Sequence, residues 1–295
     1  MSPTQRFNEY FRLLRPQQWV KNLFVFLPAF FAGRKANFTL LSQTLVAFIS
    51  LCLLASAIYT LNDVTDRESD RSHPTKRNRP IASGRVSVRA ALGLAFSLCM
   101  AGFAVAGSLG LSVLALAGLY LAFNLAYSLG LKHIPVLDIF IVSVGYVIRV
   151  FVGGVVDDVP ISMWIVIMTF LLALFLALGK RRDDVLIFNE SGAKTRKAID
   201  GYTLPFIDSA MMVMAAVNIV SYIMYAASPD VTGKFHTDKL YVTTVFVLLG
   251  ILRYLQLTQV EKRSGAPTEV LFKDRFIQLT LIGWILAFMV IIYWR

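Results

Sequence analysis

Charge, cysteine and histidine are all scarce in this sequence, and each scarcity removes a class of function. Only 16% of the 295 residues are charged against 57% hydrophobic, and at a mean hydropathy of +0.64 the chain cannot make an ordinary soluble domain. The two cysteines, Cys52 and Cys99, fall in apolar segments without CxxC spacing, so they read as packing residues rather than a disulfide or a metal pair. The three histidines, His73, His133 and His236, share no ligand spacing, which leaves soft-metal chemistry without support. No P-loop, nucleophile motif or glycine-rich dinucleotide fingerprint occurs. Arg6, Glu9, Arg12, Arg15 and Pro16 interrupt the place where a cleavable apolar core would lie, so no signal peptide is expected.

What the chain does have is long apolar runs. Runs of about 20 mainly apolar residues suffice to cross a hydrocarbon core. Nine are expected, near 17–33, 40–61, 88–107, 110–130, 134–156, 160–179, 207–228, 240–257 and 276–294. The predicted fold is therefore all-α, a polytopic membrane helical bundle forming one domain over 1–295. The charge-free stretch from Ala90 to Leu131 must fold into two spans, and Gly107 to Gly110 is the place to turn. Gly145 and the Gly153–Gly154 pair permit close helix packing. The net charge of +11 could suggest nucleic acid, but 23 of the 29 Lys and Arg gather on one set of loops with the N-terminus. Membrane topology accounts for that asymmetry: no nucleic acid is expected, and the basic face, with the N-terminus and the polar loops, is expected to be cytoplasmic at a plasma membrane.

The densest polar stretch runs from Tyr59 to Arg85. Asp63, Asp66 and Asp70 fall at i, i+3 and i+7, so a helix that continues through them carries all three on one face. Like charges that close repel, and hard carboxylate oxygens at this spacing suit magnesium, with Asn62 adding a neutral oxygen. Glu68 falls off the face. Lys76, Arg77, Arg79 and Arg85 follow, placed for phosphate oxygens on a loop that Pro74 and Pro80 stiffen. Acids for a metal followed by bases for phosphate suggest a diphosphate site.

A second polar cluster, Gly179-Lys180-Arg181-Arg182-Asp183-Asp184, closes the span that begins near Pro160, and about 120 residues separate the two clusters, which suggests two related helical halves. Its three cations suit a phosphate better than a second metal, and contact of Asp183 or Asp184 with the metal stays open. Arg149 lies inside an apolar span, where a charge is costly enough to imply function; an anionic head group is its expected partner, with Asp138 or Asp157 as structural alternatives. Lys132 is the sole base in the turn before Asp138. Arg15, Trp19 and Lys21 mark the entry of the first span.

The motif Asn62-Asp63-x-x-Asp66-x-x-x-Asp70 resembles the NDxxDxxxD signature of the UbiA superfamily of intramembrane prenyltransferases. The Arg15-Pro16-x-x-Trp19-x-Lys21-Asn22 stretch, the Gly179-Lys180-Arg181-Arg182 cluster, the Gly145-to-Arg149 segment and the Gly265-to-Glu269 loop are similar to its decaprenyl-phosphate phosphoribosyltransferase branch. That resemblance implies magnesium and pyrophosphate held by Asn62, Asp63, Asp66 and Asp70, with Lys21, Lys76, Arg79, Lys180 and Arg181 on phosphate. It implies phosphoribosyl pyrophosphate and a polyprenyl phosphate lipid as substrates. Lys132 and Arg149 are further phosphate candidates read from their positions. An aromatic prenyltransferase using polyprenyl diphosphate is the alternative within the superfamily, and a transporter of anionic lipid or metabolite the alternative outside it.

Overall fold

A computed structural model describes residues 2–32, 38–71, 76–191, 197–262 and 267–293. His73 and Pro74, with Gly265 of the late loop, lie outside them. The described elements are helical, and eight helices are long and apolar enough to cross a membrane: Leu40–Thr65, Val88–Ser108, Leu111–Leu129, Leu137–Val156, Met163–Glu190, Leu204–Ala227, Lys239–Gln259 and Arg275–Tyr293. Each matches a span expected from the sequence. The ninth does not form. After α1 (Pro3–Leu14) the chain makes a 3-10 helix, Pro16–Phe26, and then a five-residue α2 (Leu27–Phe31). Pro28 lacks the N–H that a continuous α-helix needs, so the 17–33 run is broken where its hydropathy alone suggested continuity.

The chain divides into two compact units, Met1–Leu129 with Ile148–Pro160, and Gly130–Val147 with Ile161–Arg295. In the first, α3 (Phe38–Thr65) runs on through a turn at Asp66 into α4 (Arg67–Arg71), then the chain enters α5 (Val88–Ser108) and α6 (Leu111–Leu129). Ser87 caps α5 by accepting from the Ala90 N–H. Gly110, at φ +113°, makes the turn between α5 and α6 at the position the glycine punctuation indicated. At the α3–α5 crossing the Ser50 hydroxyl donates to the Gly102 carbonyl at 2.8 Å, and a Cβ on Gly102 would lie 2.8 Å from Leu54 Cγ.

The tightest approach is at Gly153, in the half of α7 (Leu137–Val156) that belongs to this unit. A Cβ there would fall 1.9 Å from the Val25 carbonyl oxygen. Backbone cannot rotate away as a side chain can, so Gly153→Ala must push the 3-10 segment off α7. We expect that variant to lose several degrees of apparent Tm in detergent, whereas Gly250→Ala, whose nearest neighbour is Thr280 Cγ2 at 3.8 Å, should melt like the native protein. A thermal-shift series on the two variants checks this.

The second unit packs α8 (Met163–Ser191), α9 (Leu204–Ala227), the short α10 (Pro229–Phe235), α11 (Thr244–Gln259), α12 (Pro267–Lys273) and α13 (Arg275–Tyr293). Phe175, Ile199, Ile207, Met211 and Tyr254 form its centre. α8 continues to Ser191, so the Lys180-to-Asp184 cluster, expected as a loop closing the span, is helical. Arg181 and Asp184, one turn apart and bonded at 2.8 Å, hold that register.

Candidate active site

One stripe of α3 organises the first unit's polar residues. Cys52, Ser56, Tyr59 and Asp63 succeed each other at helical spacing, and Asp66 and Asp70 continue it past the helix end. The Asp66 N–H donates to the Asn62 carbonyl at 2.9 Å and the Asp70 N–H to the Asp66 carbonyl at 2.8 Å, so the turn at Asp66 keeps the register. Asp63 and Asp70 are each only 3% exposed. Glu68 points outward instead, exposed and paired with Arg67 and Arg71.

The buried carboxylates meet arginine. Arg79 Nη1 donates to Asp63 Oδ1 at 2.9 Å and to Asp70 Oδ2 at 2.7 Å, and Arg15 Nη2 donates to the same Asp63 oxygen. Arg79 is carried by a folded turn in which the Val86 N–H reaches the Pro80 carbonyl at 2.9 Å and Gly84 takes φ +78°. Ile81 and Val86 pin that turn to Leu13 and Ala91, so the expected loop cations stand on a packed base. The Arg85 guanidinium is held by Glu9 at 3.1 Å and donates to the Asn78 carbonyl. Lys76 is half-buried and Arg77 exposed.

The chemistry of this donor set suits a hard cation. Two carboxylate oxygens converge on a single point, now Arg79 Nη1, and the buried Asn62 Oδ1 has no hydrogen-bond partner among the described residues. Among those residues no three His, Cys, Asp or Glu side chains stand together as a ready metal cage; guanidinium supplies the positive charge that the acidic spacing demands.

The N-terminal 3-10 segment lies against the same stripe. Arg15, at φ +50°, turns the chain out of α1 and places its guanidinium 5.2 Å from the Tyr59 ring centre. Trp19 Nε1 donates to Ser56 Oγ at 3.0 Å, and Ser56 Oγ donates to the Leu14 carbonyl at 2.8 Å. Asn22, fully buried, donates to Cys52 Sγ at 3.2 Å and accepts from Arg149 Nε at 2.7 Å. Arg149 also donates to the Tyr120 hydroxyl at 2.9 Å and lies over that ring. Asn22 and Tyr120 are thus among its partners, where the sequence offered Asp138 or Asp157 as structural alternatives. Asp157 instead meets the Thr44 hydroxyl, and burial raises its carboxyl above the usual range. Lys21 is half-buried and makes no ion pair with another described residue. Tyr120 was not singled out from sequence, and Arg15 and Asn22 were named there only as parts of the stretch at the entry of the first span. The only available signals were a polar Asn and a Tyr in apolar surroundings, and a basic residue read as a span border.

In the second unit Arg181 is 3% exposed, its Nε donating to Asp138 Oδ2 at 2.5 Å and its Nη1 to Asp184 at 2.8 Å. Tyr202 donates to the other Asp138 oxygen at 2.6 Å while accepting from the Val136 N–H at 2.7 Å. Burial and that carboxylate push the Tyr202 phenol well above its ordinary pKa, so it stays a donor. Arg182 joins Asp208 at 2.7 Å and the Thr258 carbonyl at 2.7 Å. Of the cation triplet, only Lys180 keeps a half-buried rather than buried position, as does Lys132 in the turn Leu131–His133.

Eight helices long and apolar enough to cross a membrane, with buried carboxylates and arginines meeting at the end of one of them, define a multi-pass membrane protein with a charged site at a helix end. The chain belongs to the UbiA prenyltransferase family, which its residues 22–282 match. It is 37% identical to a decaprenyl-phosphate phosphoribosyltransferase of Mycolicibacterium smegmatis, over 93% of this chain and 89% of the relative, and 35% identical to one of Corynebacterium glutamicum, over 96% and 86%. A UbiA homologue from Archaeoglobus fulgidus, solved bound to GPP and Mg2+, shares the fold at a TM-score of 0.72 and 18% identity, covering 96% of this chain and 99% of that one.

Proposed function

We propose that the protein transfers the 5-phosphoribosyl group of phosphoribosyl pyrophosphate to a decaprenyl-type polyprenyl phosphate at the cytoplasmic membrane face, releasing pyrophosphate with magnesium. The near full-length identity to enzymes named for that reaction carries the reading. The acidic motif agrees with it, since Asn62, Asp63, Asp66 and Asp70 offer oxygens to a metal that also binds a pyrophosphate. Magnesium held there would supply a Lewis acid that neutralises charge on the leaving group. Lys76, Arg79 and Lys21 remain the proposed partners of donor phosphates. Lys132 and Lys180 are the proposed partners of the acceptor phosphate, with Arg149, inside its span, as a further candidate.

The acceptor oxygen is already anionic at neutral pH, so the protein's task is to orient it toward the anomeric carbon rather than to deprotonate it. The new C–O bond forms at that carbon as the bond to pyrophosphate breaks, which inverts configuration and needs no covalent enzyme intermediate. Fixed cations around both phosphates provide the electrostatic stabilisation.

Purified protein in detergent, given magnesium, labelled phosphoribosyl pyrophosphate and polyprenyl phosphate, should move label into lipid, with one pyrophosphate released per transfer. Asp66→Ala should lower the rate at least about 100-fold, by loss of one metal-side oxygen. Absence of labelled lipid, together with prenylation of 4-hydroxybenzoate from polyprenyl diphosphate, would instead assign the aromatic reaction.

A further inference from the structure

The two arginines on Asp63 suggest a role for a residue that the proposed chemistry leaves unused. We propose that Arg15 is a resident counter-cation of the acidic motif that exchanges partners on loading: it leaves Asp63 when a divalent metal arrives and turns onto the pyrophosphate that comes with it.

Three observations carry this. First, Asp63 Oδ1 accepts from Arg15 and Arg79 together, and Arg79 also takes Asp70. The three aspartates and two guanidinium groups therefore leave one formal negative charge, where the acids alone would carry three. Without such neutralisation Asp63 would be a buried, unpaired carboxylate beside two others, a costly arrangement. Second, the arginines are held differently from the acids. The Asp63 side chain is 3% exposed, but Arg15 and Arg79 are 27% and 28% exposed, so the cations are open to an incoming ligand where the carboxylate beneath them is not. Third, the described contacts of the Arg15 guanidinium are Asp63 and the face of Tyr59. Neither fixes it in a closed cage, and the residue sits at an αL turn between two helices.

The exchange keeps charge balanced in both states. Before loading, guanidinium neutralises carboxylate. After loading, the carboxylates face the metal, and the released guanidinium, planar and suited to bidentate contact with oxyanions, faces phosphate. Arg15 thereby becomes a positioning residue for the donor, tying α1 and the 3-10 segment to the loaded site. The turn toward pyrophosphate rests on the proposed function; the competition with metal does not.

The test is metal affinity of the full-length protein in detergent without any substrate, using Mn2+ as the probe and its free-ion EPR signal as the readout. Arg15→Gln should bind Mn2+ about tenfold more tightly, because a competing charge within contact distance is gone. Inorganic pyrophosphate titrated into the Mn2+-loaded variant should bind about tenfold more weakly. Arg15→Lys should remain within about threefold of native on both counts, since the positive charge persists. Tyr59→Leu removes the ring beneath Arg15 without altering charge and should tighten Mn2+ by a few-fold; it serves equally if the glutamine variant does not purify. Unchanged or weakened Mn2+ binding in Arg15→Gln, or in Tyr59→Leu when that variant stands in, overturns the exchange. Tightened Mn2+ with undiminished pyrophosphate binding overturns the turn onto phosphate. Were the protein found to prenylate an aromatic acceptor, the Mn2+ result would still stand or fall by itself.

Discussion

Asp63→Asn is expected to lower kcat/KM by about 1,000-fold while the protein still purifies as a folded species. At 1.36 kcal/mol per tenfold, that corresponds to about 4 kcal/mol of lost transition-state stabilisation. The substitution conserves shape, so the α3 backbone and its register to Asp66 and Asp70 stay in place. What it removes is the charge on an oxygen set shared by Arg15 and Arg79. An amide oxygen binds a divalent cation far less strongly than a carboxylate, and the freed arginines would crowd Asp70 instead. Metal competition and metal loss therefore act in the same direction. Glu68→Gln supplies the contrast: Glu68 lies one residue from α4's start, carries the same charge, and is exposed in pairs with Arg67 and Arg71. Its rate should stay within about twofold of native, as expected of a surface ion pair. Initial rates of lipid labelling for the two variants at saturating magnesium decide the matter, and a large loss in both would mean that local charge, not the helix face, sets activity.

The spacing of apolar residues made eight spans legible because a lipid-crossing helix needs little more than length and hydropathy. It misled at 17–33, where the same apolar content covers a 3-10 segment: hydropathy does not register whether backbone N–H groups are available, and Pro28 removes one. The acidic face was legible because i, i+3, i+7 spacing survives the brief turn at Asp66. Partners were less legible than positions. Nothing in the chain near Asp63 announces that Arg15, 48 residues away, will reach it, or that Arg149 will meet Asn22, 127 residues distant. Such pairs are made by tertiary packing, and a single sequence holds no record of it. The basic triplet shows the same limit. Three adjacent cations at a span end look like one phosphate-binding group, yet successive helical positions diverge by about 100°, so Arg181 and Arg182 enter different ion pairs.

That divergence leads to the second large effect, on stability rather than rate. Arg181→Ala is expected to lower the apparent Tm in detergent by on the order of 10 °C, from a cost of about 3–5 kcal/mol for breaking a buried pair. The cost arises from what is left behind. Asp138 is fully buried, and without Arg181 its charge would have, among the described residues, the Tyr202 hydroxyl for support. The replacement of both partners should therefore repair much of the damage: Arg181→Met with Asp138→Leu leaves no charge stranded in the buried Asp138 position, and although the partly exposed Asp184 also loses its Arg181 pair, the Tm should return to within a few degrees of native. A residual deficit is expected from Tyr202, whose hydroxyl would keep the Val136 N–H but lose its acceptor. Tyr202→Phe in the double-variant background should add little, whereas alone it strips both Val136 and Asp138 of a partner. A double-mutant cycle read by melting temperature separates these terms. The same cycle separates a structural arginine from a phosphate ligand, because a ligand's loss would raise the KM for substrate without moving Tm, and no change at Asp138 could rescue it.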